Sequence, residues 1–140
     1  WITNNTIWAV AECSPAEIDE LNILWASMTA MKRAVDKLSS APDHCLIDGN
    51  RLPHNLTGTA VVRGDAKSLS IAAASIIAKQ TRDKIMHDLA RQYPQYGWDK
   101  NAGYPTKSHL RAIDQYGINE HYRKSFGPIK ERIKNEASHN

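Results

Sequence analysis

Two aspartates stand where short apolar runs end. Asp48 closes Cys45-Leu46-Ile47 and is followed by Gly49, and Asp65 follows the run at 59–63 and Gly64. Carboxylates at the ends of neighbouring strands converge on one point, and two or more such groups make an oxygen-rich site suited to Mg²⁺ or Mn²⁺. Two ions held in that way clamp a phosphodiester, one at the attacking water and one at the leaving oxygen. Asp beside Gly also builds tight turns, and spacing alone favours that plainer reading. Other chemistries lack their signatures. Neither aspartate opens an EF-hand ligand pattern, and the chain has no Gly-rich loop ending in Lys-Ser/Thr, no His-Glu-x-x-His and no nucleophile elbow.

A second candidate lies at 95–104, where Tyr96, Trp98 and Tyr104 are interleaved with or followed by Lys100, Lys107 and His109. Aromatic rings stack on bases or sugars while cations meet phosphates. The same rings could equally pack beneath the loop with only their polar tips at the surface. Lys79 and Arg82 lie on one long amphipathic stretch and either could meet a phosphate. Lys79 is also four residues from Asp83, which suits a surface ion pair. His109 alone suits a structural hydrogen-bonding role, and His44, His54, His87, His121 and His139 form no ligand pattern.

The elements that must position these groups can be read from local signals. Residues 6–11, with Ile7, Trp8 and Val10, suggest a short strand. Ser14-Pro15-Ala16-Glu17 is a helix start with Ser as N-cap, Pro at the first helical position and Glu closing a capping box. Behind it Ile18, Leu21, Trp25, Met28, Met31, Val35 and Leu38 recur at steps of three and four, predicting one long helix or two in sequence. Residues 39–43 form a linker. Strands are predicted at 45–47 and 59–63, and a long helix at about 69–92, with Ile71, Ala74, Ala78, Ile85 and Leu89 on its buried side. Pro94 stops that helix. Thr106 caps a short helix that ends before Gly117. A basic tail at about 118–140 carries Arg123, Lys124, Lys130, Arg132 and Lys134. Strands separated by helices indicate an α/β layered domain, one domain at 140 residues.

Composition adds bounds. Hydrophobic residues make up 41% and charged residues 24%, as in globular domains. No apolar run approaches the ~20 residues that span a bilayer. The start of the chain shows neither a signal peptide nor an initiator Met. Cys13 and Cys45 make no disulfide framework and are expected as buried free thiols in a reducing, cytoplasmic setting. A net charge of +3 permits an acidic partner without demanding one.

Six segments occur together in order: Ile18-Asp19-Glu20-Leu21-Asn22-Ile23-Leu24, Leu46-Ile47-Asp48-Gly49-Asn50, Val62-Arg63-Gly64-Asp65-Ala66-Lys67-Ser68, Ala72 to Lys79 with Thr81-Arg82-Asp83, Gly103-Tyr104-Pro105-Thr106, and Arg123-Lys124-Ser125-Phe126-Gly127-Pro128. In this order they resemble bacterial ribonuclease HII over almost the whole chain. The resemblance implies a ribonuclease H-like α/β fold, a mixed central sheet flanked by helices. It implies a site of four carboxylates holding two Mn²⁺ or Mg²⁺ ions, with Asp48 matching the third and Asp65 the fourth. Tyr104 matches a tyrosine that stacks on the deoxyribose beside the scissile ribonucleotide, and His109, Lys79 and Arg82 become candidate nucleic-acid contacts. The implied substrates are RNA–DNA hybrids and duplex DNA with embedded ribonucleotides, cut on the 5′ side of the ribonucleotide to leave a 3′-hydroxyl and a 5′-phosphate.

The family's N-terminal Asp-Glu-Ala-Gly-Arg-Gly segment has no counterpart here. That segment carries the first two carboxylates and, in its Gly-Arg-Gly part, resembles a reader of the 2′-hydroxyl. The fold is therefore expected to be N-terminally incomplete. Half the carboxylates should hold two Mg²⁺ poorly, because little negative charge offsets the ions' repulsion. An uncovered sheet edge and bare apolar helix faces should favour self-association. Weak or absent activity of these residues alone follows, with a catalytically dead nucleic-acid-binding module or a purely structural piece as the other readings.

Overall fold

The computed structural model describes residues 1–139. They divide into two compact units. The first is Trp1–Cys13 with Leu21–Thr81, and the second is Ser14–Glu20 with the chain from Arg82 onward.

In the first unit the expected strand at 6–11 is absent. A short helix, α1, spans Ile2–Asn5, and the backbone after it has no ladder partner among the described residues. An apolar run extends without becoming a strand when no neighbour satisfies its N–H and C=O groups. The apolar stretch behind Ser14 is two helices, α2 at Pro15–Leu21 and α3 at Ile23–Asp36. The break is Asn22, at φ +68, whose Oδ1 accepts from the Trp25 N–H at 3.1 Å and so caps α3. Asn tolerates positive φ better than other non-glycine residues, because its short side chain bonds locally. The capping box at α2 forms as the sequence predicts. Ser14 Oγ accepts from the Glu17 N–H at 3.2 Å, and Glu17 Oε2 accepts from the Ser14 N–H at 2.8 Å.

The sheet of the first unit is one parallel pair, β1 (Cys45–Asp48) and β2 (Gly58–Val61), in register from Cys45 opposite Gly58 to Asp48 opposite Val61. No antiparallel strand occurs among the described residues, so the mixed character expected of the sheet is not seen here. Beyond β2 come α4 (Gly64–Lys67) and α5 (Leu69–Gln92). The bounds of α5 are those read from the sequence, but its expected buried side is not. Ile71 is buried, whereas Ala74, Ala78 and Ile85 are exposed and Leu89 is half-buried. In the first unit, two strands are too narrow a surface to cover residues 69–81 of the helix. Ala74 and Ala78 instead line an open apolar cleft of about 610 Å³, with Val10, Met31, Leu46 and Ile71. Cys13 and Cys45 are free, and both are half-buried rather than buried.

The second unit holds the tighter core. After α5, Pro94–Tyr96 forms a 3-10 turn, followed by α6 (Trp98–Asn101), α7 (Lys107–Tyr116) and α8 (Gly127–Ser138). Tyr96, Trp98, Ile113, Tyr122 and Ile129 pack together, with Leu89, Tyr93 and Phe126 against them. Helix α7 begins at Thr106, whose Oγ1 accepts from the His109 N–H at 3.3 Å, and ends at Gly117, at φ +84. Asp19 of α2 accepts from the Lys124 and Ser125 backbone N–H groups, both at 2.8 Å, and so pins the segment before α8. The tail's cations are partly engaged. Arg123 lies over the Phe126 ring at 5.0 Å, and Arg132 makes a two-point pair with Asp114 at 2.6 and 3.1 Å. No helix among the described residues is long and apolar enough to cross a membrane.

Candidate functional site

Parallel strands end on the same side of their sheet, so β1 and β2 deliver Asp48 and the turn carrying Asp65 to one edge. Asp48 is the last residue of β1, and its Oδ1 accepts from the Gly64 N–H at 2.8 Å. That bond places Asp65 one residue beyond the group that Asp48 grips. Asp65 Oδ1 accepts from the N–H of Ala66 at 3.0 Å, in the first turn of α4. Arg63, the residue that turns the chain from β2 into α4, is left-handed at φ +56, ψ +44. Such a conformation costs a non-glycine residue on the order of 1–2 kcal/mol. The site is built closely at Gly64. A methyl group there would lie 2.5 Å from Ile71 Cδ1 and 3.3 Å from Asp48 Oδ1.

Both carboxylates are exposed, and no group of three or more His, Cys, Asp or Glu side chains suited to a metal gathers among the described residues. The donor chemistry fits one hard divalent cation, held by one or two carboxylates and completed by water or phosphate oxygens. It falls short of the oxygens that two ions would need.

The aromatic segment divides sharply. Tyr96 and Trp98 are each 3% exposed and stack on one another at 5.0 Å. The Tyr96 hydroxyl donates to Gly117 O at 2.9 Å, and burial raises its pKa, as does the neighbouring Tyr93. These two rings are core, out of reach of a base. Tyr104, 69% exposed, is the ring of the three that a nucleotide can meet.

The loop that carries Tyr104 is held at each residue. Arg82 Nη2 donates to Ala102 O at 3.0 Å, Asn101 Oδ1 accepts from the Gly103 N–H at 2.8 Å, and the Tyr104 N–H donates to Asn101 O at 2.8 Å. Asn101 is itself buried and donates to Tyr96 O at 2.7 Å. His109 is 2% exposed. Its Nδ1 lies 2.8 Å from Tyr104 O, and its Nε2 lies 2.7 Å from the Tyr122 hydroxyl, whose pKa burial drives well up. The structure therefore gathers Arg82, Tyr104 and His109 around one loop of the second unit. Asp48 and Asp65 sit together in the first unit, where Lys79 is exposed on α5. Asn101, Tyr122 and Asp19 were not singled out by sequence. Asn-Ala-Gly before a tyrosine is a turn signal that could have found Asn101, but no local pattern marks the other two.

A sequence model described as ribonuclease HII matches residues 6–127. Among curated proteins, the chain is 61% identical to ribonuclease HII of Magnetococcus marinus over 128 residues, 89% of this chain and 60% of that protein. It is 55% identical to ribonuclease HII of Bacillus cytotoxicus, across 88% of this chain and 48% of that one, and 54% identical to that of Vibrio parahaemolyticus, across 90% and 60%. The chain thus spans about half to three-fifths of the length of these relatives. Among solved structures, ribonuclease H2 from Pyrococcus horikoshii superposes with a TM-score of 0.70 at 25% identity, over 91% of this chain and 68% of that one. That likeness fits the ribonuclease H-like α/β fold expected from the sequence.

Proposed function

Because the chain belongs to the ribonuclease HII family, we propose that it supplies the Asp48–Asp65 and Tyr104 portion of an endonuclease acting on the RNA strand of RNA–DNA hybrids and on the 5′ side of ribonucleotides embedded in duplex DNA. The observation that carries this reading is the Asp48–Gly64 hydrogen bond, which ties two carboxylate-bearing turns to one end of a parallel strand pair. Asp48 and Asp65 are the residues that would hold Mn²⁺ or Mg²⁺. A bound ion there would supply positive charge against the charge that builds on the phosphodiester oxygens during displacement. A two-metal mechanism needs carboxylates beyond these two, so weak activity is expected of these 140 residues alone.

Tyr104 offers its exposed ring to the deoxyribose beside the scissile ribonucleotide. Lys79 and Arg82 lie exposed on α5 and meet backbone phosphates. Arg82 can do so while one guanidinium nitrogen holds Ala102, since the group has further donors. A cytoplasmic setting is part of the same proposal, supported by family membership. So is self-association, supported by the apolar cleft and by the exposure of Leu46, Val62 and Ile76. A second copy of the chain is the occupant that would cover them.

The test is cleavage of a DNA duplex carrying one embedded ribonucleotide, with Mn²⁺ or Mg²⁺, by the chain and by Asp48→Asn. Cleavage abolished by the substitution supports the assignment, and cleavage that survives it removes Asp48 from the site. A second reading, a binding module without catalysis, is favoured by the absence of a third carboxylate beside Asp48 and Asp65 among the described residues. Salt-dependent binding of hybrid without cleavage would select it. Sedimentation of the chain as a monomer across micromolar concentrations would remove self-association.

A further inference from the structure

His109 has the surroundings of a working part rather than of a filler. It is nearly sealed from solvent, yet both ring nitrogens have polar partners, and one of those partners is the main chain of the exposed Tyr104. The protonation pattern follows from the partners. Tyr104 O has no proton to give, so Nδ1 carries the hydrogen and donates it. In that tautomer Nε2 accepts from the Tyr122 hydroxyl. Tyr122 cannot swing away, because its ring is set in the aromatic cluster 5.6 Å from Tyr96 and 5.5 Å from Trp98. The same carbonyl also accepts from the Thr106 N–H at 2.8 Å, and Thr106 caps the helix on which His109 sits. Thus the one carbonyl that sets the direction of the Tyr104 backbone is gripped from two sides, by the buried His109 ring and by the N–H of the residue that caps its helix.

We propose that His109 is the positioning residue for Tyr104: its Nδ1–H, in the tautomer that the Tyr104 carbonyl selects and a donating Tyr122 hydroxyl supports, locks that carbonyl and so presents the exposed ring in a preformed orientation to a nucleotide sugar. The role rests on the reading of Tyr104 as a sugar-stacking residue, and it differs from a direct contact, since the buried imidazole does not reach a ligand. Fixing the ring before binding removes an ordering cost that the complex would otherwise bear.

Two substitutions separate positioning from mere packing. The amide nitrogen of Asn stands near the place of Nδ1, whereas the end of Gln stands near Nε2. His109→Asn therefore keeps the bond to Tyr104 and loses Tyr122, and His109→Gln does the reverse. The measurement is binding of a fluorescein-labelled DNA duplex with one embedded ribonucleotide, without divalent ions. Tyr104→Ala is expected to weaken binding roughly tenfold, as loss of one stacking contact does. His109→Gln should weaken it by a similar factor, His109→Asn by less than about twofold, and His109→Gln combined with Tyr104→Ala no more than Tyr104→Ala alone. Tyr122→Phe should weaken binding beside His109 and have no effect beside Asn at that position, since an amide needs no partner to fix its proton. Equal losses for Asn and Gln, or a Gln effect that adds to Tyr104→Ala, would overturn the proposal. If the unsubstituted chain does not bind the duplex, the sugar-stacking reading fails and amide exchange decides the positioning role. The Thr106 amide should then exchange about tenfold faster in His109→Gln than in His109→Asn, and equal rates would overturn it.

Discussion

Gly64→Ala probes the construction of the acidic end of the sheet. The added Cβ would lie 2.5 Å from Ile71 Cδ1, where carbon atoms prefer roughly 3.5–4.0 Å, so the two must part by about 1 Å. Ile71 is buried, but its side chain also borders the open cleft, which gives its terminal methyl room to turn. The cost therefore belongs in the lower half of the overpacking range, about 1–2 kcal/mol. The second contact, at 3.3 Å to Asp48 Oδ1, presses on the oxygen that accepts from the Gly64 N–H at 2.8 Å. Divalent-cation affinity should fall together with stability.

Ile71→Val supplies the control, because it deletes the obstructing Cδ1. Alone it should cost about 0.5–1.5 kcal/mol, as such truncations do. Beside Ala at position 64 it should cost nothing or restore stability, giving a coupling of about 1 kcal/mol. Urea denaturation of the four proteins of the cycle measures that coupling, and Mn²⁺ titration of the same four follows the Asp48 oxygen. Additivity within about 0.3 kcal/mol would refute the reasoning, since it would mean that Cδ1 is not what Gly64 makes room for.

Three further outcomes are expected. Gly58→Ala should be costlier than Gly64→Ala, above about 2 kcal/mol in the same denaturation, because its Cβ would meet the Cys45 carbonyl oxygen of the paired strand, and backbone cannot turn aside; a smaller loss would contradict the β1–β2 register. Asp48→Asn should leave stability within about 0.5 kcal/mol, since the amide oxygen still accepts from Gly64, while Asp48→Ala should lose about 1 kcal/mol more by leaving a buried N–H unpartnered; equal thermal melting of the two would remove that bond from the account. Acid should weaken the second unit. The hydrogen bond from Arg132, opposed by desolvation and aided by the charge, lowers the Asp114 pKa; for Asp19 desolvation is the largest single influence and pushes upward, but the bonds from Ser125 and Lys124 and the Arg123 charge together outweigh it and lower the pKa. Folded values below the unfolded ones mean that the unfolded chain binds more protons in that window, so this stability is complete above about pH 4–5 and is lost as pH falls through the folded values. Asp114→Asn should flatten the thermal-melting profile between pH 5 and roughly pH 2, and an unchanged slope would count against the pair.

Signals confined to a few neighbouring residues were legible in the sequence. Ser14 and Glu17 close their capping box, α5 runs from Leu69 to Gln92 before Pro94, and Thr106 and Gly117 bound α7. What depended on distant partners was not. Residues 6–11 have strand composition but no ladder to join. Of the two readings of the apolar stretch behind Ser14, one helix or two in sequence, the second holds, and the break comes from a positive φ at Asn22 that hydrophobic spacing does not encode. In the first unit, two strands leave Ala74 and Ala78 of α5 bare. At the candidate site, the strand-end positions of Asp48 and Asp65 were readable from apolar runs followed by glycine. The choice between stacking and packing for Tyr96 and Trp98 was not, because it turns on Tyr122 and Ile129, more than twenty residues away in sequence. Nor was the tie from His109 to Tyr104, which needs the helix start at Thr106 to bring the imidazole back over the loop.

In both places the turn that carries the chemistry-bearing side chain is fixed through a main-chain group: the Gly64 N–H at Asp48, and the Ala102 and Tyr104 carbonyls and the Gly103 N–H at Tyr104, the last three gripped by the Arg82, His109 and Asn101 side chains. Asp48 takes its bond from the Gly64 N–H, at a distance that a Cβ on Gly64 would crowd. Tyr104 follows Gly103, which at φ +86 adopts a conformation that L side chains resist, and whose N–H is taken by Asn101. The glycines of Arg-Gly-Asp and Gly-Tyr-Pro are thus there for approach and for handedness, and they make these turns more defined, not looser. Preorganisation of this kind is available before any ligand arrives, and misplacement by about 1 Å is what costs a site its efficiency. Each unit fixes its own groups by its own local bonds. Substitutions at Gly64 and Ile71 therefore interrogate the carboxylates without touching Tyr104, and substitutions at His109 and Tyr122 do the converse, so a loss of function can be assigned to one end of the chemistry or the other.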